Sequence, residues 1–232
     1  MKDFIKNVFA NIVAILLIGI VLFGFMALFF VASAMSSDQK PYVDSNSVLT
    51  LNFNGNVIDS YTEKEESIFD FGQSKDVLLL DVINAINNAK NDEKIKGISI
   101  EADNLPAGIT QVDDIRASIE DFKKSGKFVY AYGNNMSQKS YYLASVADKV
   151  YLNPVGMIEL KGMSTEVTFL KDFAAKYGIG VDVIRHGKFK AAVEPFIRND
   201  ISPENKEQLS TLLNDIWGNI STKIKASRKL DD

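Results

Sequence analysis

The pattern of apolar and polar positions divides the chain in two: one long, uniformly apolar stretch near the start, then short segments of changing period. Residues 12–35 run 24 positions without a charge. As a helix they reach roughly 36 Å, enough to cross about 30 Å of hydrocarbon. A soluble helix would show a polar face, and this stretch has none. Beyond it, residues 47–53 alternate apolar and polar and meet Asn54-Gly55, which predicts a strand and a turn. Leu79, Val82, Ile83 and Ile86 share one helical face, and residues 96–101 follow as a short strand. Val112, Ile115, Ile119 and Phe122 make the next helical stripe, closed by Ser125-Gly126. Residues 128–132 read as a strand, 140–147 as a helix and 149–152 as a strand ended by Asn153-Pro154. A helix over 169–177 stops at Gly178, and a strand is expected over 181–185. Ser202-Pro203 then opens a long helix, with serine as N-cap and proline in the first turn. Its apolar stripe is Leu209, Leu212, Leu213, Ile216, Trp217, Ile220 and Ile224.

Strands alternating with helices predict an α/β fold: a mostly parallel sheet flanked by helices, plus one N-terminal transmembrane helix. In such sheets, loops at the carboxyl ends of the strands build the sites, here 102–108, 133–139 and 186–195. The expected organisation is an N-terminal segment 1–11, a transmembrane anchor 12–35, a polar linker 36–46 and an exported domain 47–232. Within that domain, residues 59–76 are charged and carry few apolar anchors, as in a surface excursion. Lys2 and Lys6 precede the apolar stretch, which predicts a cytoplasmic N-terminus and a single pass. Ala32-Ser33-Ala34 matches a signal-peptide cleavage site. The apolar core exceeds the roughly 7–15 residues of a signal peptide, so a retained anchor is expected.

Composition narrows the chemistry. Apolar residues make up 46% of the chain, enough for a real core, and the net charge of −4 offers no field for nucleic acid. There is no cysteine and one histidine, which argues against thiolate catalysis, a His-rich metal site or a Ser-His-Asp triad. Lys190 stands out. It sits in a loop among small and apolar neighbours, Phe189, Ala191, Ala192 and Val193. A lysine taken out of water there can act as a general base. The plain alternative is a solvated surface lysine.

Three runs carry a resemblance: YYLASVAD at 141–148, YLNPVG at 151–156 and GKFKAAVEPF at 187–196. With them the chain resembles the long-form signal peptide peptidase A (protease IV) family, and within it the N-terminal, lysine-bearing half. The resemblance implies a Clp-protease/crotonase-like fold. It implies a serine peptidase, anchored in the bacterial cytoplasmic membrane with its main domain outside, that degrades released signal peptides. Its chemistry would be a Ser-Lys dyad without cofactor or metal, and the family's base lysine falls on Lys190. Lys188 fills a variable slot. Implied partners are apolar peptides, the lipid bilayer, a serine-bearing C-terminal half and further copies in an oligomer. In relatives with one domain per subunit, the nucleophile stands just before a Gly-Gly-Tyr-Tyr-like run. Counting back from Tyr141-Tyr142 places Gln138 there, and a glutamine amide cannot attack a carbonyl. The chain also stops at Asp232 with no second domain, which suggests a fragment or a split product holding half a dyad.

Other features have simpler readings. Ser137 and Ser140 flank the vacant position and fit helix caps. Residues 105–108 fit a structural turn rather than an oxyanion loop, and His186 a loop residue. Glu194 is expected to point away from Lys190, toward Arg198. Two functional alternatives remain: a non-catalytic anchored scaffold of the same fold, and an acyl-CoA enzyme. The second lacks glycine-rich oxyanion loops.

Overall fold

The computed structural model describes residues 1–36, 43–60, 76–184, 186–187 and 189–230. Most of the expected linker and surface excursion, together with Arg185 and Lys188, lie outside the described residues. Two units are distinguished, Met1–Asp44 and Ser45–Asp232. The first contains helix α1 (Lys2–Ser36). Its stretch Lys2–Val31 is long and apolar enough to cross a membrane, with a mean hydropathy of 3.0 over its 18-residue apolar window.

The second unit is α/β, as the alternation predicts. Strands β1 (Ser47–Leu51), β4 (Ile95–Glu101), β5 (Phe128–Met136) and β6 (Lys149–Ile158) form a parallel sheet in the order β1-β4-β5-β6. The register runs Leu51 to Ile100, Ile100 to Ala131 and Ala131 to Val150. Two short strands, β2 (Val57–Ile58) and β3 (Val77–Leu78), pair separately. Helices α2 (Leu79–Asn91), α3 (Ile109–Lys123) and α4 (Gln138–Ala144) connect the sheet strands. The stripe read from the sequence is the one that packs: Ile86, Val112, Ile115, Ile119 and Phe122 are fully buried with Ile98, Ile100 and Val129 of the sheet. Each such side chain taken from water contributes roughly 1.5–3 kcal/mol. The chain then passes α5 (Lys171–Lys176), a 3-10 turn (Ala191–Val193), α6 (Glu194–Ile197) and the long α7 (Pro203–Arg228). Gly178 ends α5 at φ +70, a backbone that suits glycine.

Three expectations need correction. The loop placed at 133–139 is strand as far as Met136. The Asp103 carboxylate accepts from the backbone N–H groups of Asn134 and Asn135, and Asn135 and Met136 pair with Met157 and Ile158. A register irregularity between Gly133 and Asn135 absorbs the mismatch. The strand ended at 152 instead runs through Pro154 to Ile158. Because β6 is at the edge of the sheet, a missing N–H is tolerated there. Residues 181–184 form no strand. Alternation says which side chains would be buried but cannot supply a ladder partner, and here Val181 and Ile184 are exposed.

Candidate active site

The two sequence features of interest lie on different elements. One is the start of α4. Ser137 is its N-cap, and its Oγ accepts from the Ser140 N–H at 3.2 Å. The two hydroxyls are 3.0 Å apart. Both serines therefore serve the helix start. Gln138 follows as the first residue of α4. Its Oε1 accepts from the backbone N–H groups of Lys161 at 3.1 Å and Gly162 at 3.0 Å. Lys139 donates from Nζ to the Ala107 carbonyl. The Gln138 amide thus ties down the 161–162 backbone. The 105–108 segment behaves as a turn into α3: Leu105 and Ala107 are buried, and the Gly108 N–H donates to Gln111 Oε1 at 2.7 Å.

The carboxyl ends of β1, β4 and β5 enclose a polar cavity of about 340 Å³, lined among others by Asn52, Glu101, Asp103, Tyr132 and Asn134. Its polar groups bond one another: Asn52 donates to Glu101, and Asn134 to Asp103. Burial pushes the Asp103 carboxyl up, but hydrogen bonds from Asn134 and Asn135 outweigh it and hold it below the usual range.

The second feature is the lysine loop. Gly187 takes φ +99, a backbone that a side chain would strain. His186, Phe189 and Lys190 are exposed in this chain. Lys190 immediately precedes the 3-10 turn Ala191–Val193, which runs into α6. Four positions on, Glu194 is 1% exposed. Its Oε2 accepts from the Ser202 N–H at 3.2 Å and from Asn205 Nδ2 at 3.1 Å. The Ser202 hydroxyl bond is the largest influence on its acidity. With these two bonds and the Arg198 charge it prevails over burial, and the carboxyl lies below the usual range. The expected turn toward Arg198 is corrected: that guanidinium hydrogen-bonds Asp200 at 2.9 Å, while Glu194 faces the start of α7. A further link joins this segment to α5, where the Leu170 N–H donates to the Pro195 carbonyl at 2.6 Å.

Sequence reading missed a buried polar network behind α4. Arg116, 1% exposed, donates from α3 to the Tyr142 carbonyl at 2.5 Å and Ser145 Oγ at 2.9 Å. It also reaches the Lys223 carbonyl at 3.2 Å and the Ser227 hydroxyl on α7. Asp113 accepts from the Tyr142 hydroxyl and from Lys223 Nζ at 2.5 Å. The signal was present: Arg116 occupies a core position of the helical stripe, four residues after Val112 and three before Ile119.

Comparison with known proteins adds the following. The family model for peptidase family S49 matches residues 121–232, a span holding both α4 and the lysine loop. Protease 4 of Haemophilus influenzae is 33% identical over 224 residues, covering 93% of this chain and 36% of its own length. Protease 4 of Salmonella typhi is 39% identical over 165 residues, 69% of this chain and 27% of the relative. The chloroplastic serine protease SPPA of Arabidopsis thaliana is 34% identical over 177 residues, 76% of this chain and 25% of the relative. The chain thus matches between a quarter and little more than a third of the length of these relatives.

Proposed function

Given that this chain belongs to peptidase family S49, we propose that it supplies Lys190 as general base to a membrane-anchored Ser-Lys peptidase. The serine would come from a segment outside these 232 residues. Gln138 carries the reading: the nucleophile position holds an amide engaged by two backbone N–H groups, while the lysine run is intact. The greater length of the relatives leaves room for a serine elsewhere.

In the assembled site, neutral Lys190 accepts the proton of the serine hydroxyl as its oxygen attacks the peptide carbonyl. The resulting ammonium returns that proton to the leaving amine. Water, deprotonated by the same lysine, then releases the acyl group from the serine. A lysine works this way when it is withdrawn from water. Lys190 is exposed in this chain, so the reading requires a second segment to cover it, and exposed Phe189 and Phe196 offer that segment an apolar border. Substrates would be apolar peptides, released signal peptides among them, reached from the membrane surface by a retained helix α1. The exposure of Lys190 favours a second reading, an anchored scaffold without catalysis.

Complementation separates the two. The full chain is mixed with a separately expressed serine-bearing segment of the same family, and hydrolysis of an apolar peptide is measured. Peptidase activity is expected, with kcat falling about 10²–10⁴-fold in Lys190→Ala and little changed in Lys188→Ala. Activity that survives Lys190→Ala rules out the base, and no activity in any mixture favours the scaffold.

A further inference from the structure

A carboxylate excluded from solvent is costly unless its oxygens find donors. Glu194 meets this condition in one direction only. Its partners, the Ser202 N–H and hydroxyl and Asn205 Nδ2, all belong to the start of α7. That helix end is itself firmly built: the Ser202 Oγ accepts from the Asn205 N–H at 3.1 Å, and Ser202 and Asn205 are both buried. The first turn of a 26-residue helix also favours a nearby negative charge.

The chain between this anchor and Lys190 is short. Ala191, Ala192 and Val193 form one 3-10 turn without glycine, and the Glu194 N–H closes it on the Ala191 carbonyl. The Arg198 N–H donates to the Glu194 carbonyl at 2.9 Å, so the turn and α6 make one continuous piece. On the other side of Lys190 the chain passes Gly187 at φ +99 and Ile184, whose side chain is fully exposed. Among the described residues, the buried fastening of the lysine loop is therefore on the Glu194 side, with the Leu170 to Pro195 bond as its neighbour.

We infer that Glu194 is a positioning residue: its buried carboxylate fastens the lysine loop to the start of α7 and so fixes where Lys190 meets its partner serine. The inference rests on the general-base reading of Lys190. Glu194 touches neither substrate nor reacting atoms in it. A base displaced by about 1 Å can lose about 10²-fold in rate while substrate binding is kept. The bonds from the Ser202 N–H and Asn205 Nδ2 use a single oxygen, Oε2, so a glutamine can keep these two through its amide oxygen.

The test uses the full chain complemented with the serine-bearing segment. Lys190→Ala is measured first; if it keeps full activity, the general-base reading itself fails. If it loses activity, Glu194→Ala is compared with Glu194→Gln. Glu194→Ala is expected to lower kcat about 10–100-fold with KM within about twofold, and Glu194→Gln to recover most of the rate. The final stoichiometry of fluorophosphonate labelling should be unchanged, because sites are displaced rather than lost. As a readout independent of turnover, trypsin should cut after Lys188 or Lys190 at least about tenfold faster in Glu194→Ala than in wild type. If Glu194→Ala does not fold by circular dichroism, Asn205→Ala takes its place, with a several-fold fall in kcat at constant KM expected. An alanine variant with wild-type kcat and wild-type cleavage in the loop overturns the inference. So does a loss confined to labelling stoichiometry.

Discussion

Gly156 shows what a single residue decides. A Cβ built on it would lie 1.9 Å from the Asn134 carbonyl oxygen, where β6 passes the irregularity of β5. No flexible side chain can yield there, since the obstacle is backbone. Gly156→Ala is expected to destabilise the domain by about 1–3 kcal/mol, read as a lowered midpoint in urea unfolding. The run containing Gly156 was visible in the sequence, but the close approach that demands glycine was not. It depends on how far two strands continue. Asp148 carries a prediction in pH. Burial pushes its carboxyl up, but the hydrogen bond from Lys123 and that from the Val129 N–H outweigh it, so it lies below the usual range. Asp113 is held down in the same sense: burial opposes, and bonds from Lys223 and Tyr142 prevail. A depressed folded value means that their contribution is complete above the unfolded carboxyl value of about 4, and is lost as pH falls through the folded value. Asp148→Asn should therefore flatten the decline of Tm below about pH 4 and lower Tm at neutral pH. A decline as steep as in wild type would remove this carboxylate from the acid transition.

At the scale of elements, α7 divides into two parts that its sequence does not distinguish. The apolar stripe runs evenly from Leu209 to Ile224. In the folded chain Ile220 and Ile224 are 3% exposed, whereas Leu212 is 55% exposed. Arg116 and Asp113 of α3 hold the last turns of α7, and the earlier turns border an apolar groove with Val167 and Phe169. Ile224→Ala is expected to cost about 2–5 kcal/mol. Leu212→Ala is expected to cost under about 0.5 kcal/mol in the chain alone, with chemical unfolding as the measurement. Periodicity located α2, α3 and the parallel sheet, because each of those faces is answered by a neighbour in the same domain. It failed at 181–184 for the complementary reason: alternating side chains were present and a pairing strand was not. The lysine loop was legible as a motif, while its fastening was not. Glu194, Ser202 and Asn205 are separated by up to 11 residues and meet only because α6 turns back onto the start of α7.

For the whole molecule, α1 is helical from Lys2 to Ser36, beyond the apolar stretch read from the sequence, because helix continues through its polar flank. Length and composition alone allow an anchor or a signal sequence. A retained anchor predicts that protein extracted from membranes has an intact mass including residues 1–34; an N-terminus at Met35 would show cleavage instead. The central claim is that Lys190 activates a serine carried by another segment. Its most direct measurement is the rate at which a fluorophosphonate labels that serine in the complemented peptidase, since the reagent reports activation of the nucleophile apart from peptide binding. The account predicts that Lys190→Ala slows labelling about 10²-fold or more, while Lys188→Ala labels at the wild-type rate. Labelling at an unchanged rate in Lys190→Ala would contradict it.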